Sequence, residues 1–242
     1  MSVDIKSKIA KKLITSSLSL CKKPLIMFSG GKDSTFMLYL FKELRDEEKI
    51  EIPTVLVGDP FPFEECLDFC LKVLEIFNIT NYIIMKDLIT MEGYQNRYEV
   101  TKNVEKCCYL NKVCIINKLV KDYGFDCIFI AIRWDEHPAR KNEQYIKIIS
   151  NPYHLRVHPI LHFTWYEILQ FYEDNQDLLN PLYLQGYTSI GCKPCTSKTI
   201  DRTFSDVSEY IAYIVEKEVK ERAGRLQDKE KIMERLRRIG YP

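Results

Sequence analysis

At 242 residues and 28.6 kDa, with 46% hydrophobic and 29% charged residues, the chain is long enough to bury a core without staples, which excludes a disordered or fibrous protein. Thirty-five Lys and Arg against 34 Asp and Glu leave a formal net charge of +1, which removes the bulk-charge argument for a dedicated nucleic-acid or membrane-surface binder and leaves only a local basic patch open. No run of roughly 18 apolar residues occurs, and the first 23 residues interleave lysines with apolar positions, so neither a spanning helix nor a secretory signal is expected and the expected compartment is the cytoplasm.

In chain order, short apolar strands alternate with longer amphipathic helices. The spacing predicts a helix over 5–20, a strand over 25–28, a helix over 35–45, a strand over 53–57 and a helix over 63–77. A strand over 82–85, a helix over 104–121 and a strand over 127–132 continue the series. That succession predicts an α/β fold: a parallel sheet with helices on both faces. Ligands of such sheets bind at the carboxyl ends of the strands, so the loops after Phe28, Val57 and Ile132 are the places to look. Residues 157–161 are expected to add an edge strand. Thr164 with Glu167 three residues later is a capping-box start for a helix to about Glu173. A loop over 181–200 carries a close cysteine pair, and 204–239 predicts two charged helices broken near Gly224. One α/β domain over 1–200, including the cysteine loop, and a helical C-terminal extension over 201–242 follow.

Ser29-Gly30-Gly31-Lys32-Asp33-Ser34 follows an apolar strand and opens a helix. Two glycines let the backbone turn tightly around an anion, the helix N-terminus adds partial positive charge, and Lys32 with two hydroxyls completes a site suited to pyrophosphate. It is not a Walker A loop, since Asp33 stands where Ser or Thr would and the first glycine is missing. Arg133 at a strand end and Arg140 in the loop beyond are placed to converge on one anion through forked hydrogen bonds. The four histidines, His137, His154, His158 and His162, have no metal-ligand spacing and read as incidental or as nearby anion contacts.

The phosphate loop resembles that of the adenine nucleotide α-hydrolase superfamily, within it the group of phosphoadenylyl-sulfate reductases and the small subunit of bacterial ATP sulfurylase. Its unaltered form is similar to that of members cleaving ATP between the α and β phosphates. The stretch Ala131-Ile-Arg-Trp-Asp-Glu136 with Arg140 resembles the segment that holds nucleotide phosphates, and Glu221-Arg-Ala-Gly-Arg225 with the end of the chain resembles the sulfurylase tail. The resemblance implies that Ser29, Gly30, Gly31, Lys32, Asp33, Ser34, Arg133, Arg140 and Arg225 bind ATP, with Asp33 or Asp59 helping to hold Mg²⁺. Lys32, Arg133 and Arg140 would carry catalysis by stabilising charge on the departing pyrophosphate and around the α-phosphate. The compressed Gly58-Asp-Pro-Phe-Pro-Phe-Glu64 departs from the group's usual loop beside adenine and ribose.

Nine cysteines, an odd number in a chain without a leader, argue for thiols or metal ligands rather than a disulfide framework. Cys107-Cys108 and Cys192-Lys-Pro-Cys195 form a set of four able to hold zinc or an iron–sulfur cluster. Adjacent residues on a helix diverge by about 100°, which suits the separated corners of a [4Fe-4S] cube better than one tetrahedral zinc. The segment around Cys192 and Cys195 also resembles the cluster loop of iron–sulfur adenylyl-sulfate reductases. Those reductases attack with a C-terminal cysteine, and none follows Cys195. Cys66 and Cys70 fall on the apolar face of a predicted helix, where a thiol is expected to stay inert, and Cys21 and Cys127 lie at the far end of the sheet.

The function expected from these observations is an ATP pyrophosphatase-type enzyme of sulfur metabolism, sulfate adenylyltransferase-like. It would adenylylate sulfate, or a nucleic-acid group for sulfur insertion as in DNA phosphorothioation or tRNA thiolation, and carry a [4Fe-4S] cluster, with zinc the alternative metal. The alternatives are an adenylyl-sulfate or phosphoadenylyl-sulfate reductase and a non-catalytic nucleotide- and cluster-binding redox sensor. A GTPase subunit, a cysteine desulfurase-like sulfur donor and a second copy of the chain are the partners expected, and no membrane.

Overall fold

The fold follows from strands whose two faces are both apolar. The structure, a computed structural model, describes residues 2–49, 51–56, 63–84 and 103–241. Among these residues six strands form one sheet: β1 (Pro24–Phe28), β2 (Thr54–Leu56), β3 (Tyr82–Ile84), β4 (Cys127–Phe129), β5 (Ile146–Ser150) and β6 (Tyr153–Val157). Their order is β3-β2-β1-β4-β6-β5, with every pairing parallel except the antiparallel β5–β6. Period-two alternation divides the core. Ile26, Phe28, Leu56 and Phe129 face one apolar cluster, whereas Leu25, Met27, Val55 and Ile128 face the other.

Helices α1 (Val3–Leu18), α2 (Lys32–Glu48) and α3 (Glu64–Ile76) contribute Ile14, Phe36 and Val73 to the first cluster. So do α6 (Trp165–Phe171) and α7 (Val207–Glu216), through Ile168 and Ile211. The opposite face is covered by α5 (Cys114–Lys121) through Ile115, Ile116 and Leu119. The predicted helix over 104–121 is therefore one rod in three parts: α4 (Val104–Cys108), a π-helical turn (Tyr109–Val113), then α5. A π turn widens the helix by one residue, and such bulges concentrate at functional sites; this one begins directly after Cys107-Cys108.

Two expectations are corrected. The edge strand placed at 157–161 has only Val157 in a strand, the last residue of β6, which pairs with β4; 158–161 lie in a turn, and the edge on that side is β5. Isolated lysine and serine on β5 hid its alternation. The tail holds three helices rather than two: α7, α8 (Gln227–Lys231) and α9 (Met233–Arg238), with a non-helical stretch between α7 and α8. Among the described residues no helix is long and apolar enough to cross a membrane. The capping box at Thr164 is present, with Thr164 Oγ1 accepting from the Glu167 amide and Glu167 accepting from the Thr164 amide.

Candidate functional site

The sheet order reverses between β1 and β4, and the crevice at their carboxyl ends is where a parallel α/β sheet receives a ligand. Ser29–Gly31 turns out of β1 into that crevice. Gly30 adopts φ +71°, and a Cβ there would stand 2.6 Å from the Cys70 sulfur, so both backbone and space demand glycine. The loop is tied inward by hydroxyls: Ser34 Oγ donates to the Gly31 carbonyl at 2.9 Å and accepts from the Ser29 amide at 3.2 Å. Tyr183 Oη accepts from the Lys32 amide at 3.2 Å, Tyr172 Oη donates to the Lys32 carbonyl, and Asn180 Nδ2 donates to the Gly30 carbonyl at 3.4 Å. Sequence patterns carry no signal for these three supports, because each is a single polar residue in the segment after α6.

Behind the loop lies a lattice of buried opposite charges. Lys32 is 2% exposed, and its ammonium donates to Asp33 at 2.7 Å and to Glu221. Arg133, fully enclosed, donates to Asp33, Asp135 and Glu221, each at 2.6 Å. Asp135 in turn accepts from the Trp165 amide at 2.7 Å. Arg133 therefore faces carboxylates and does not line the open crevice, where it was expected to meet an anion. Burial opposes the charge of Lys32, but Asp33 and Glu221 outweigh it and raise its affinity for a proton. Glu221 feels burial first and is pushed up despite Lys32 and Arg133. In Glu136, burial is overcome by Arg140 and Arg222, which hold that carboxyl well below its usual range.

A second group joins the tail to the crevice. Arg140 pairs with Glu136, whose other oxygen accepts from Arg222 at 2.8 Å, and Arg222 also donates twice to Glu230 at 2.7 and 2.8 Å. Glu136, Arg140, Arg222 and Arg225 line one pocket with the Ser29–Ser34 loop. Arg225 lies against Gly191, where a Cβ would collide with its guanidinium, and its buried Nε finds no acceptor among the described residues. Thr196 forms a bridge with Arg225. The structure thus brings the predicted loop, Arg140 and Arg225 to one cavity. Asp59 lies outside the described residues, as does most of the loop around it.

The same cavity is lined by Cys66 and Cys70 of α3. Cys70 is buried as expected, but Cys66 is only half-buried and lies 3.5 Å from Asn180 Nδ2, which corrects the reading of both thiols as sealed in an apolar face. Cys66 is in the first turn of α3, and that turn bends toward the phosphate loop rather than into the core. Cys21 and Cys127 sit at the opposite end of the central strands, Cys127 opening β4 beside Pro24 of β1; burial pushes both thiols up. His154 and His158 are buried, bonded to the Pro152 and Gln144 carbonyls, and burial lowers both to about 4, so they are neutral structural rings.

The two cysteine pairs meet through the tail. Cys192 lines the pocket, and Cys195 accepts at its carbonyl from the Leu226 amide at 3.1 Å. One residue on, α8 begins and packs against α4, which carries Cys107-Cys108. Cys108 and Cys192 are buried, and Cys107 and Cys195 are half-buried. Lys229 of α8, 2% exposed, sits beside Cys108 and Cys192 with its ammonium 5.0 Å from the Tyr241 ring centre. Among the described residues no three metal-ligating side chains yet close on one point. By residue type the donor set suits a thiolate-ligated group, four thiols on two segments joined through α8.

Residues 23–198 match the family described as the phosphoadenosine phosphosulfate reductase domain. The curated "Adenosine 5'-phosphosulfate reductase 1" of Bacillus subtilis is 29% identical over 161 residues, covering 65% of this chain and 66% of that protein, so the chain matches about two thirds of the relative's length. Among solved structures, phosphoadenylyl-sulfate reductase from Candida auris superposes with a TM-score of 0.62 at 14% identity, over 81% of this chain and 96% of the other. The U34-tRNA thiolase of Methanococcus maripaludis, solved with its [4Fe-4S] cluster, superposes at 0.52 and 17% identity over 98% and 79%. At those identities the two structures speak for the fold.

Proposed function

We propose, from the premise that the chain belongs to the phosphoadenosine phosphosulfate reductase domain family, that it is a nucleotide-dependent enzyme reducing the sulfo group of adenylyl sulfate or its 3′-phosphate. The observation that carries this reading is the single cavity shared by the phosphate loop, the cations Arg140, Arg222 and Arg225, and Cys192. It joins a place for a nucleotide phosphate to a place for sulfur chemistry. The name of the Bacillus relative supports the same substrate.

The loop of Ser29–Ser34 and the arginines of the tail would hold the phosphosulfate, forked guanidinium donors matching its oxygens. Reduction requires a thiolate to attack the sulfur; the sulfur–oxygen bond to phosphate breaks and AMP, or its 3′-phosphate, leaves. A second thiol then attacks the first sulfur, releasing sulfite and forming a disulfide, which balances the two electrons. Cys66, half-buried in the pocket wall, is one candidate for the attacking thiol, and an external dithiol is another. An iron–sulfur cluster on Cys107, Cys108, Cys192 and Cys195 would supply positive iron and a low-dielectric wall near the sulfo group.

A second reading has its own observation. The unaltered phosphate loop, with Lys32 held by Asp33 and Glu221, suits a pyrophosphate, and on that reading the chain cleaves ATP and transfers its adenylyl group. One assay separates them. Anaerobically prepared protein is given adenylyl sulfate with a dithiol, and separately ATP with Mg²⁺ and sulfate. Sulfite with an equal amount of AMP from the first mixture is the expected result. Pyrophosphate from the second, with no sulfite from the first, would reverse the order of the readings.

A further inference from the structure

Among the described residues β5 closes one side of the sheet, and little blunts it. It pairs with β6 in unbroken antiparallel register, from Ile146 opposite Val157 to Ser150 opposite Tyr153. Exposed edges are usually protected by proline, a bulge or charge. β5 has no bulge and carries one lysine, Lys147, whose ammonium lies 3.2 Å from Glu143. The register fixes which backbone groups are spare. The His158 amide donates to the Tyr145 carbonyl at 2.8 Å, so that opposed pair is hydrogen-bonded, and alternation puts Lys147–Arg156 and Ile149–His154 in the same class. Ile146, Ile148 and Ser150 therefore turn both N–H and C=O to the open side.

The side chains beside those groups are apolar and exposed. Ile148 is 65% exposed, and Tyr153, diagonal to it on β6, is 66% exposed. Both stand on the face that carries Leu155, which packs on the same core cluster as Val3 and Leu13 of α1. α1 borders this edge: His162 Nε2 donates to the Lys6 carbonyl at 3.2 Å, and the His162 ring lies 5.7 Å from that of Tyr145, one residue before β5. Ile5 and Ile9, one turn apart on α1, are exposed as well.

We propose that β5 pairs with β5 of a second copy of the chain, antiparallel about a two-fold axis at Ile148, so that two sheets become one. In that register Ile148 stands opposite Ile148, Ile146 opposite Ser150 and Lys147 opposite Ile149, and every spare N–H and C=O of the strand finds a partner. The neighbouring registers are worse. An axis at Lys147 sets two lysines against each other, and an axis at Ile149 sets Ile146 opposite Pro152, which has no N–H to give. This self-complementarity selects a second copy over a strand of another protein. A two-fold axis normal to the sheet also keeps both α1 helices on one face of the junction. The strands then supply directional bonds, and Ile148, Tyr153, Ile5 and Ile9 supply apolar area beside them. None of these residues lines the pocket of the phosphate loop, so the pairing is independent of what that pocket binds.

The test is sedimentation velocity of wild type, Ile148→Pro and Ile148→Lys over a series from micromolar to submillimolar protein, with amide-resolved hydrogen exchange of wild type by NMR. Proline at 148 removes an amide on the open side only, which edge strands tolerate, and lysine replaces an exposed side chain and sets like charges opposite each other. Wild type is expected to pass from monomer to dimer as concentration rises, with dimerisation at least about tenfold weaker in both variants. Exchange at 146, 148 and 150 should slow with concentration, whereas 147 and 149 stay protected throughout. If proline disturbs the hairpin, the lysine variant decides alone. Wild type that remains monomeric overturns the proposal, as does a dimer that Ile148→Lys leaves intact or whose newly protected amides lie outside β5.

Discussion

Gly30 and Gly31 are neighbours with different tolerances. At Gly30 φ is +71° and the Cys70 sulfur occupies the space of a side chain; at Gly31 the backbone is ordinary, and a Cβ would meet Ser29 Oγ at 3.6 Å and the Tyr183 hydroxyl at 3.9 Å. Gly30→Ala is therefore expected to cost about 1–3 kcal/mol of stability, and Gly31→Ala about 0.5 kcal/mol or less, by urea unfolding. Equal losses would contradict the assignment of the turn. Lys32→Ala, by contrast, leaves Arg133 alone to offset the charges of Asp33 and Glu221, so a loss of nucleotide affinity in that variant would come with a loss of fold stability. Cys66 offers a cleaner probe of the pocket. Half-buried beside Asn180, it should be alkylated by iodoacetamide well ahead of buried Cys70, and saturating adenylyl sulfate or ATP should slow the reaction at least tenfold. Mass spectrometry of the modified peptides checks this, and unprotected Cys66 would place the ligand elsewhere.

At the scale of elements, the tail is held to the α/β body by Arg222, which reaches Glu136 in the loop after β4 and Glu230 in the tail itself. Glu136 binds its proton less tightly than the ordinary carboxyl at 4.5, because Arg140 and Arg222 outweigh its burial. A depressed folded-state pKa contributes stability that is fully present above the unfolded value and lost as pH falls through the folded one. That contribution should thus decline from about pH 4.5 toward about 2. Glu136→Gln is expected to be less stable at neutral pH, since it leaves Arg140 and Arg222 under-paired, and to show a flatter dependence of stability on pH across that window. Urea midpoints at stepped pH for both proteins measure it. The parallel sheet and its order of helices were legible in the sequence because buried strands are continuous apolar runs and α2, α3 and α5 repeat with helical period. The β5–β6 hairpin was not, since an edge strand with Lys147 and Ser150 lacks the apolar run, and neither was the π turn after Cys108, which no local residue type announces.

At the scale of the molecule, the site is assembled from distant stretches: the loop after β1, the start of α3, the loop after β4, the cysteine loop and the tail. Short motifs marked Ser29–Ser34, Cys192 and Arg225, but their meeting depends on long-range closure that no spacing encodes. Arg133 is an example: its place at a strand end was legible, but its pairing with Glu221 of the tail was not, because that contact spans 88 residues. Gly191 is one of the points where the cysteine loop and the tail touch. Its missing side chain leaves room for the Arg225 guanidinium, and what a methyl group would meet there is the far end of a long side chain rather than backbone. Gly191→Ala should therefore leave the fold standing and move the guanidinium out of its place in the pocket wall. If Arg225 holds the phosphosulfate, that displacement removes a charge-assisted hydrogen bond, about 1.5–3 kcal/mol, so adenylyl sulfate should bind about ten- to a hundredfold more weakly. The unfolding midpoint should change by only a few degrees, on the order expected for ~1 kcal/mol in a domain of this size. Calorimetric titration of both proteins decides the matter: unchanged affinity with an intact fold would mean that Arg225 braces the cysteine loop and takes no part in binding.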